Sequence, residues 1–153
     1  EVTLAIILAS VTRSFIICII SIICFNLLVD VNVLHYYYFL IYLFLSSFLM
    51  GSLGFIAGIW AEKFDNMATV TNFIIVPLSF LSGTFYSIDR LPEVLKGLSI
   101  YNPFFHMIDG LRFSMIGIRD GGVSFGLLYL LFLNLALWFT SYILYKKGYK
   151  IKS

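Results

Sequence analysis

The sequence predicts an all-α, polytopic membrane protein, and three observations carry that prediction. Hydrophobic residues make up 61% of the chain and charged residues only 12%, with a mean hydropathy of +0.99. A soluble domain carries about 25% charged residues, so this chain lacks the charge to cover a water-facing surface. The apolar residues also fall into long runs, and a helix needs about 20 of them to cross a bilayer. Finally, the charged residues collect in short stretches that punctuate those runs.

The same composition excludes other classes. Net charge is +2 and the basic residues form no stripe, so nucleic acid is not a partner. Cys18 and Cys24 both lie inside an apolar run and read as small hydrophobes rather than a disulfide or metal pair. The two histidines and two cysteines are scattered and make no metal-ligand cluster.

The first span is expected over about residues 3–29, where TLAIILASVT and SFIICIISIICFNLLV flank Arg13. Arg13 is expected to snorkel toward a headgroup layer. After the loop DVNVLH, YYYFLIYLFLSSFLMGSLGFIAGIW forms the second span, residues 36–60. Its Gly51, Gly54 and Gly58 suit close helix packing, and Gly54 with Gly58 makes a small-residue pair four apart. The polar turn AEKFDN leads to the third span, 67–88, where Pro77 removes a backbone hydrogen bond and is expected to kink the helix. The last span covers 123–145 and ends in the basic tail 146–153, with Trp138, Tyr142 and Tyr145 as interface anchors. Asn26, Asn72 and Asn134 lie inside spans and are expected to bond between helices. Tyr36, Tyr37 and Tyr38 read as an interface belt, with a carbohydrate platform as the rarer use.

Lys146, Lys147, Lys150 and Lys152 in the tail, against no lysine or arginine in DVNVLH, place the C-terminus in the cytoplasm. Counting back through four crossings puts AEKFDN inside, and DVNVLH and residues 89–122 outside.

That outer segment holds two helices too short to cross. In the first, about 92–100, Leu91, Val94, Leu95 and Leu98 make one stripe and Pro92 suits the first turn. Asn102-Pro103 breaks the chain. The second helix, about 103–117, carries Phe104, Ile108, Leu111 and Met115 on one face and His106 with Asp109 on another. Asp109 precedes Arg112 by three residues and is expected to pair with it. The hairpin either dips partway into the membrane and packs against the spans, or lies flat on the outer headgroups.

SGTFYSIDRLP, then YNPFFHMIDGLRFSMIG, then a final span and a basic end, resembles the membrane subunit of type-2 ATP-binding-cassette (ABC-2) exporters. The matching pattern is Gly83, Phe85, Tyr86, Leu91, Pro92, Asn102, Pro103, Arg112 and Gly117, with Asp109 among them in the outer-gate segment. The resemblance covers essentially the whole chain as the last four of six spans. It implies an N-terminally truncated fragment, consistent with Glu1 standing where a methionine would begin a chain.

The resemblance further implies a permease that works as a homodimer or related heterodimer, each copy engaging a separate cytoplasmic ATPase. That ATPase would hold ATP and magnesium, with no cofactor bound by this chain. Glu1, Arg13, Glu62 and Lys63 would lie toward the ATPase, and the two short helices would be re-entrant and help close the outer gate. Family substrates include polysaccharides, lipids and drugs. The setting implied is a bacterial inner membrane.

A secondary carrier or channel is the rival reading, but the four spans hold no carboxylate or basic residue at mid-depth. A membrane enzyme would need His35, His106 and Asp109 to converge. No nucleophile–base set or phosphate loop is present in the sequence.

Overall fold

In the computed structural model, residues 2–29, 32–61, 64–83 and 92–146 are described, the side chains of 64, 94 and 95 excepted. Among the described residues all regular structure is helical: α1 (Val2–Asn26), α2 (Tyr36–Trp60), α3 (Phe64–Val70), a π-helical turn (Thr71–Ile75), α4 (Val76–Phe80), α5 (Glu93–Ile100), α6 (Pro103–Ile116) and α7 (Val123–Lys146). The protein is an all-α polytopic membrane protein. Three helices, α1, α2 and α7, are 25, 25 and 24 residues of strongly apolar sequence, long enough to cross a bilayer.

The expected third span is a broken helix built from α3, the π turn and α4. Pro77 has no N–H, so the ladder ahead of it is one donor short. The π turn takes up this defect: the Val76 N–H donates back to the Thr71 carbonyl instead of one residue later. Thr69 and Thr71 also donate their hydroxyls to the Asp65 and Met67 carbonyls. The helix leaves α geometry at Leu81–Gly83, where Gly83 takes φ +74°, a left-handed conformation that favours glycine. Residues 84–90, the outer end of the expected 67–88 span, lie outside the described residues.

Helix α2 is the centre of the bundle and packs against α1, α6 and α7. Gly51 permits the closest approach of α1, because a methyl group there would overlap the Ser10 hydroxyl. Gly54 and Gly58 do not serve this purpose, since a Cβ on either would meet nothing within 4 Å. Gly54 instead lines an apolar cavity facing the broken helix.

The core comprises Tyr42, Leu49, Phe104, Met107, Val123 and Leu130. Asn134 on α7 donates to the Leu45 carbonyl at 3.1 Å and to the Leu130 carbonyl at 2.8 Å, so it does bond between helices. Its Oδ1 is buried without a partner. These two facts oppose each other, because an interhelical bond in a membrane contributes about 0.6 kcal/mol and an unmet buried acceptor costs about 1–3 kcal/mol. Asn134→Leu is therefore expected to hold or raise the thermal midpoint in detergent. A fall of several degrees would show that the bond to Leu45 dominates.

The basic end of α7 carries a Trp138–Tyr142 stack at 6.3 Å, with the Lys146 ammonium 5.9 Å above the Tyr142 ring. That arrangement suits a membrane–water interface. At the other end of the bundle Tyr36 and Tyr37 are exposed. Tyr38 instead packs edge-on to His35 and Phe113.

Candidate functional site

Among the described residues, the α5–α6 hairpin holds the buried histidine and the buried carboxylate, His106 and Asp109. Its tip is built from local signals. Asn102 caps α6 by accepting from the Phe104 N–H at 3.0 Å, and Pro103 fills the first helical position, where no N–H is required. Gly117, at φ +74°, closes α6 with its N–H on the Phe113 carbonyl.

The tip does not sit beside the ends of the long helices. The Tyr129 hydroxyl, two turns into α7, donates to the Tyr101 carbonyl at 2.6 Å. Pro103 and Phe104 line an apolar cavity of about 590 Å³ together with Leu133 and Leu137 of α7 and Ile75 and Leu78 of the broken helix.

Helix α6 buries polar and apolar side chains together. His106, Asp109 and Ser114 are buried beside Phe104, Phe105, Met107 and Gly110, and Phe104 and Met107 belong to the core. Ile108, Leu111 and Met115 of the expected stripe are half-buried. In a membrane the buried polar groups must find partners within the protein.

Each buried polar group has such a partner. The His106 ring sits against Phe105, Phe125 and Tyr129, with Nε2 2.8 Å from the Ile100 carbonyl. A carbonyl only accepts, so Nε2 carries the proton. Burial pushes the His106 imidazolium below its ordinary range, while the Ile100 carbonyl and the Asp109 carboxylate favour the charged form.

Asp109, 5% exposed, accepts from two successive backbone N–H groups, Asp120 at 2.7 Å and Gly121 at 3.0 Å. It thereby fixes the loop that leads into α7. A Cβ on Gly121 would meet Asp109 Oδ2 at 3.1 Å and the Phe105 ring at 3.2 Å, so the loop approaches too closely for a side chain there.

Arg112 does not pair with Asp109, contrary to the expectation from their spacing. Its Nη1 donates to Asp120 Oδ2 at 2.9 Å and its Nη2 to the Gly83 carbonyl at 2.6 Å. The backbone donors of the loop claim both Asp109 oxygens, which leaves the planar guanidinium to bridge outward. Asp109→Asn is expected to keep one of the two loop bonds and Asp109→Ala neither. The alanine variant should lose about 1–3 kcal/mol of stability, read as a lower thermal midpoint than the asparagine variant. Equal midpoints would refute the paired-acceptor role.

The broken helix is tied to the hairpin through its own last carbonyls. Asn102 Nδ2 donates to the Leu78 carbonyl at 2.7 Å, Ser99 Oγ to the Leu81 carbonyl at 3.0 Å, and Arg112 to the Gly83 carbonyl. Helix C-termini leave such carbonyls unsatisfied. Three hairpin side chains therefore cap this helix from outside.

The structure brings Gly83, Asn102, Pro103, Asp109, Arg112 and Gly117 into one assembly around α6. Pro92 is the residue before α5 and is exposed. Phe85, Tyr86 and Leu91 lie outside the described residues, as do Glu1, Glu62 and Lys63. Arg13 is exposed midway along α1, so this span does carry a basic residue near its middle, contrary to the expectation that no span would. On α5, Leu98 of the expected stripe is exposed, and Ser99 turns inward instead.

Sequence reasoning missed Tyr42, Ser99, Gly110, Asp120 and Gly121. Tyr42, 1% exposed, wedges against Gly110 and donates to the Val123 carbonyl at 2.9 Å, joining α2, α6 and α7. A glycine inside a short helix and the run Asp120-Gly121-Gly122 were the available signals.

The family described as "ABC-2 type transporter" matches residues 1–116. The chain is similar to the "Inner membrane transport permease YadH" of Escherichia coli (strain K12), at 40% identity over 78 residues, covering 51% of this chain and 30% of that permease. It is also similar to "Nodulation protein J" of Sinorhizobium fredii, at 30% identity over 80 residues, or 52% of this chain and 30% of that protein. The corresponding protein of Rhizobium leguminosarum bv. viciae is 29% identical over 73 residues, 48% of this chain and 28% of that protein. The matched stretch thus spans less than a third of these relatives. No solved structure matches the chain.

Proposed function

We propose a function from one premise: the chain belongs to the ABC-2 type transporter family. On this reading it is a membrane transport permease of a bacterial inner membrane, and its helices form part of a translocation path. Transport is driven by ATP hydrolysis in a separate cytoplasmic ATPase, which holds the ATP and magnesium, and a second permease copy completes the path. The direction is export. The family match over residues 1–116 carries the proposal. The three membrane-length helices support it.

In this proposal the tail after α7 is cytoplasmic and the α5–α6 hairpin is a re-entrant lid at the outer end. Two features favour re-entry over a hairpin lying flat. The tip bonds to Tyr129, which lies within α7 rather than at its end. His106, Asp109 and Ser114 of α6 are also buried, whereas a helix lying on the surface would turn its polar groups to water.

A mild-detergent pull-down of the full-length protein from its native membranes, with bound chains identified by mass spectrometry, tests the partnership. The expected result is a stoichiometric ATPase with a phosphate-binding loop. Recovery without one, under conditions that keep other membrane complexes together, would favour the ATP-independent carrier.

A further inference from the structure

We infer that the joint which parts when the outer end opens is the seam between the broken helix and the hairpin, and that Asn102, Ser99 and Arg112 hold it shut. This rests on the reading of the hairpin as an outer lid.

The two sides of the hairpin are joined to the bundle by different physics. Toward α2 and α7, contact is an apolar interlock with polar bonds set inside it. Tyr42 wedges against Gly110, His106 is held among Phe125 and Tyr129, Asp109 fixes the loop before α7, and the His35 N–H donates to the Ser114 carbonyl at 2.9 Å. Separating these parts would open a cavity in close-packed core and strand buried polar groups, and both changes are costly.

Toward the broken helix, contact among the described residues includes three side-chain bonds to the carbonyls of Leu78, Leu81 and Gly83. Below them the helix is set apart from α2 and α7 by the apolar cavity of about 590 Å³. Of its apolar side chains, Ile75 and Leu78 reach the core, while Phe73, Ile74 and Phe80 are exposed. Parting this seam among the described residues breaks these bonds and much less packing than parting α6 from α2 or α7, and water entering an opened path would re-solvate both the carbonyls and the side chains. The π turn above Pro77 gives the helix a place to bend. The hairpin, α2 and α7 then form the fixed side, and the broken helix is the moving side.

State-dependent cross-linking tests this in the full-length protein with its co-purified ATPase, after Cys18→Ala and Cys24→Ala. Ser82→Cys with Ser99→Cys spans the seam, at two buried positions joined through the Ser99–Leu81 bond. His35→Cys with Ser114→Cys spans the fixed side. Yield with a short bifunctional thiol reagent is compared without nucleotide and with ATP plus vanadate, and trapped nucleotide is measured in parallel. The expected result is a several-fold fall for the seam pair with the other pair unchanged. A fall in the His35/Ser114 pair, or an unchanged seam pair despite trapped nucleotide, overturns the inference. If no nucleotide is trapped, the ATP-driven reading itself fails and the inference falls with it.

Discussion

Gly110→Ala is expected to destabilise this protein more than any other single added methyl group at the hairpin. A Cβ at that position would overlap the Tyr42 ring. Tyr42 cannot simply turn away, because it is 1% exposed, belongs to the core and is anchored by its hydroxyl to the Val123 carbonyl. Two effects compete. Alanine is the better helix former by about 1 kcal/mol, whereas overpacking a rigid core costs about 1–3 kcal/mol and sometimes more. The clash is with the anchored Tyr42 ring rather than with a flexible chain end, so overpacking wins. Thermal unfolding in detergent, followed by size-exclusion fluorescence, should show a lower midpoint and reduced membrane levels. Adding Tyr42→Leu should restore part of the loss, because the two sites are in contact and non-additive. A Gly110→Ala variant as stable as the parent would mean that α2 and α6 do not meet at this wedge.

Arg112→Ala is expected to act locally and functionally. It removes both bonds by which the guanidinium joins the Gly83 carbonyl to the Asp120 carboxylate. The pair is largely shielded, at 23% and 14% exposure, so a loss of about 1–3 kcal/mol applies, equivalent to about 5- to 150-fold in a local opening equilibrium. Ser99 is fully buried at the same seam. The rate at which a water-soluble maleimide modifies Ser99→Cys should therefore rise by a factor in that range when Arg112→Ala is added. Arg112→Lys should recover only part, since an ammonium point charge cannot span both acceptors as the planar fork does. Unchanged modification, together with normal transport and membrane levels, would remove Arg112 from the lid.

The long apolar runs were legible because hydrocarbon imposes length and continuity: α2 occupies the expected 36–60 and α7 the expected last span almost to the residue. The hairpin was equally legible, because Asn102-Pro103 and Gly117 are local stop and start signals. Of the contacts across the bundle, the Asn134 bond was anticipated and most others were not. The Asp109–Arg112 spacing on one helix suggested a pair, but backbone donors 11 and 12 residues away took the carboxylate. Gly54 and Gly58 had the spacing of a packing motif, yet Gly51 is the residue that α1 approaches. Apolar periodicity in α6 marked a stripe that does reach the core at Phe104 and Leu111, but not that His106 and Asp109 would be buried as well, because in a membrane polar groups require burial in protein. Pro77 announced a defect in the third span, but not that a π turn would absorb it.

Which end of the bundle faces out decides whether the hairpin can be an outer lid. After Cys18→Ala and Cys24→Ala, single cysteines at Ile118 and Tyr145 report the two ends of α7, both being exposed. An impermeant maleimide applied to intact spheroplasts is expected to label Ile118→Cys directly, and Tyr145→Cys only after the membrane is permeabilised. The reverse pattern would place the hairpin on the cytoplasmic side, where it could not serve as an outer lid.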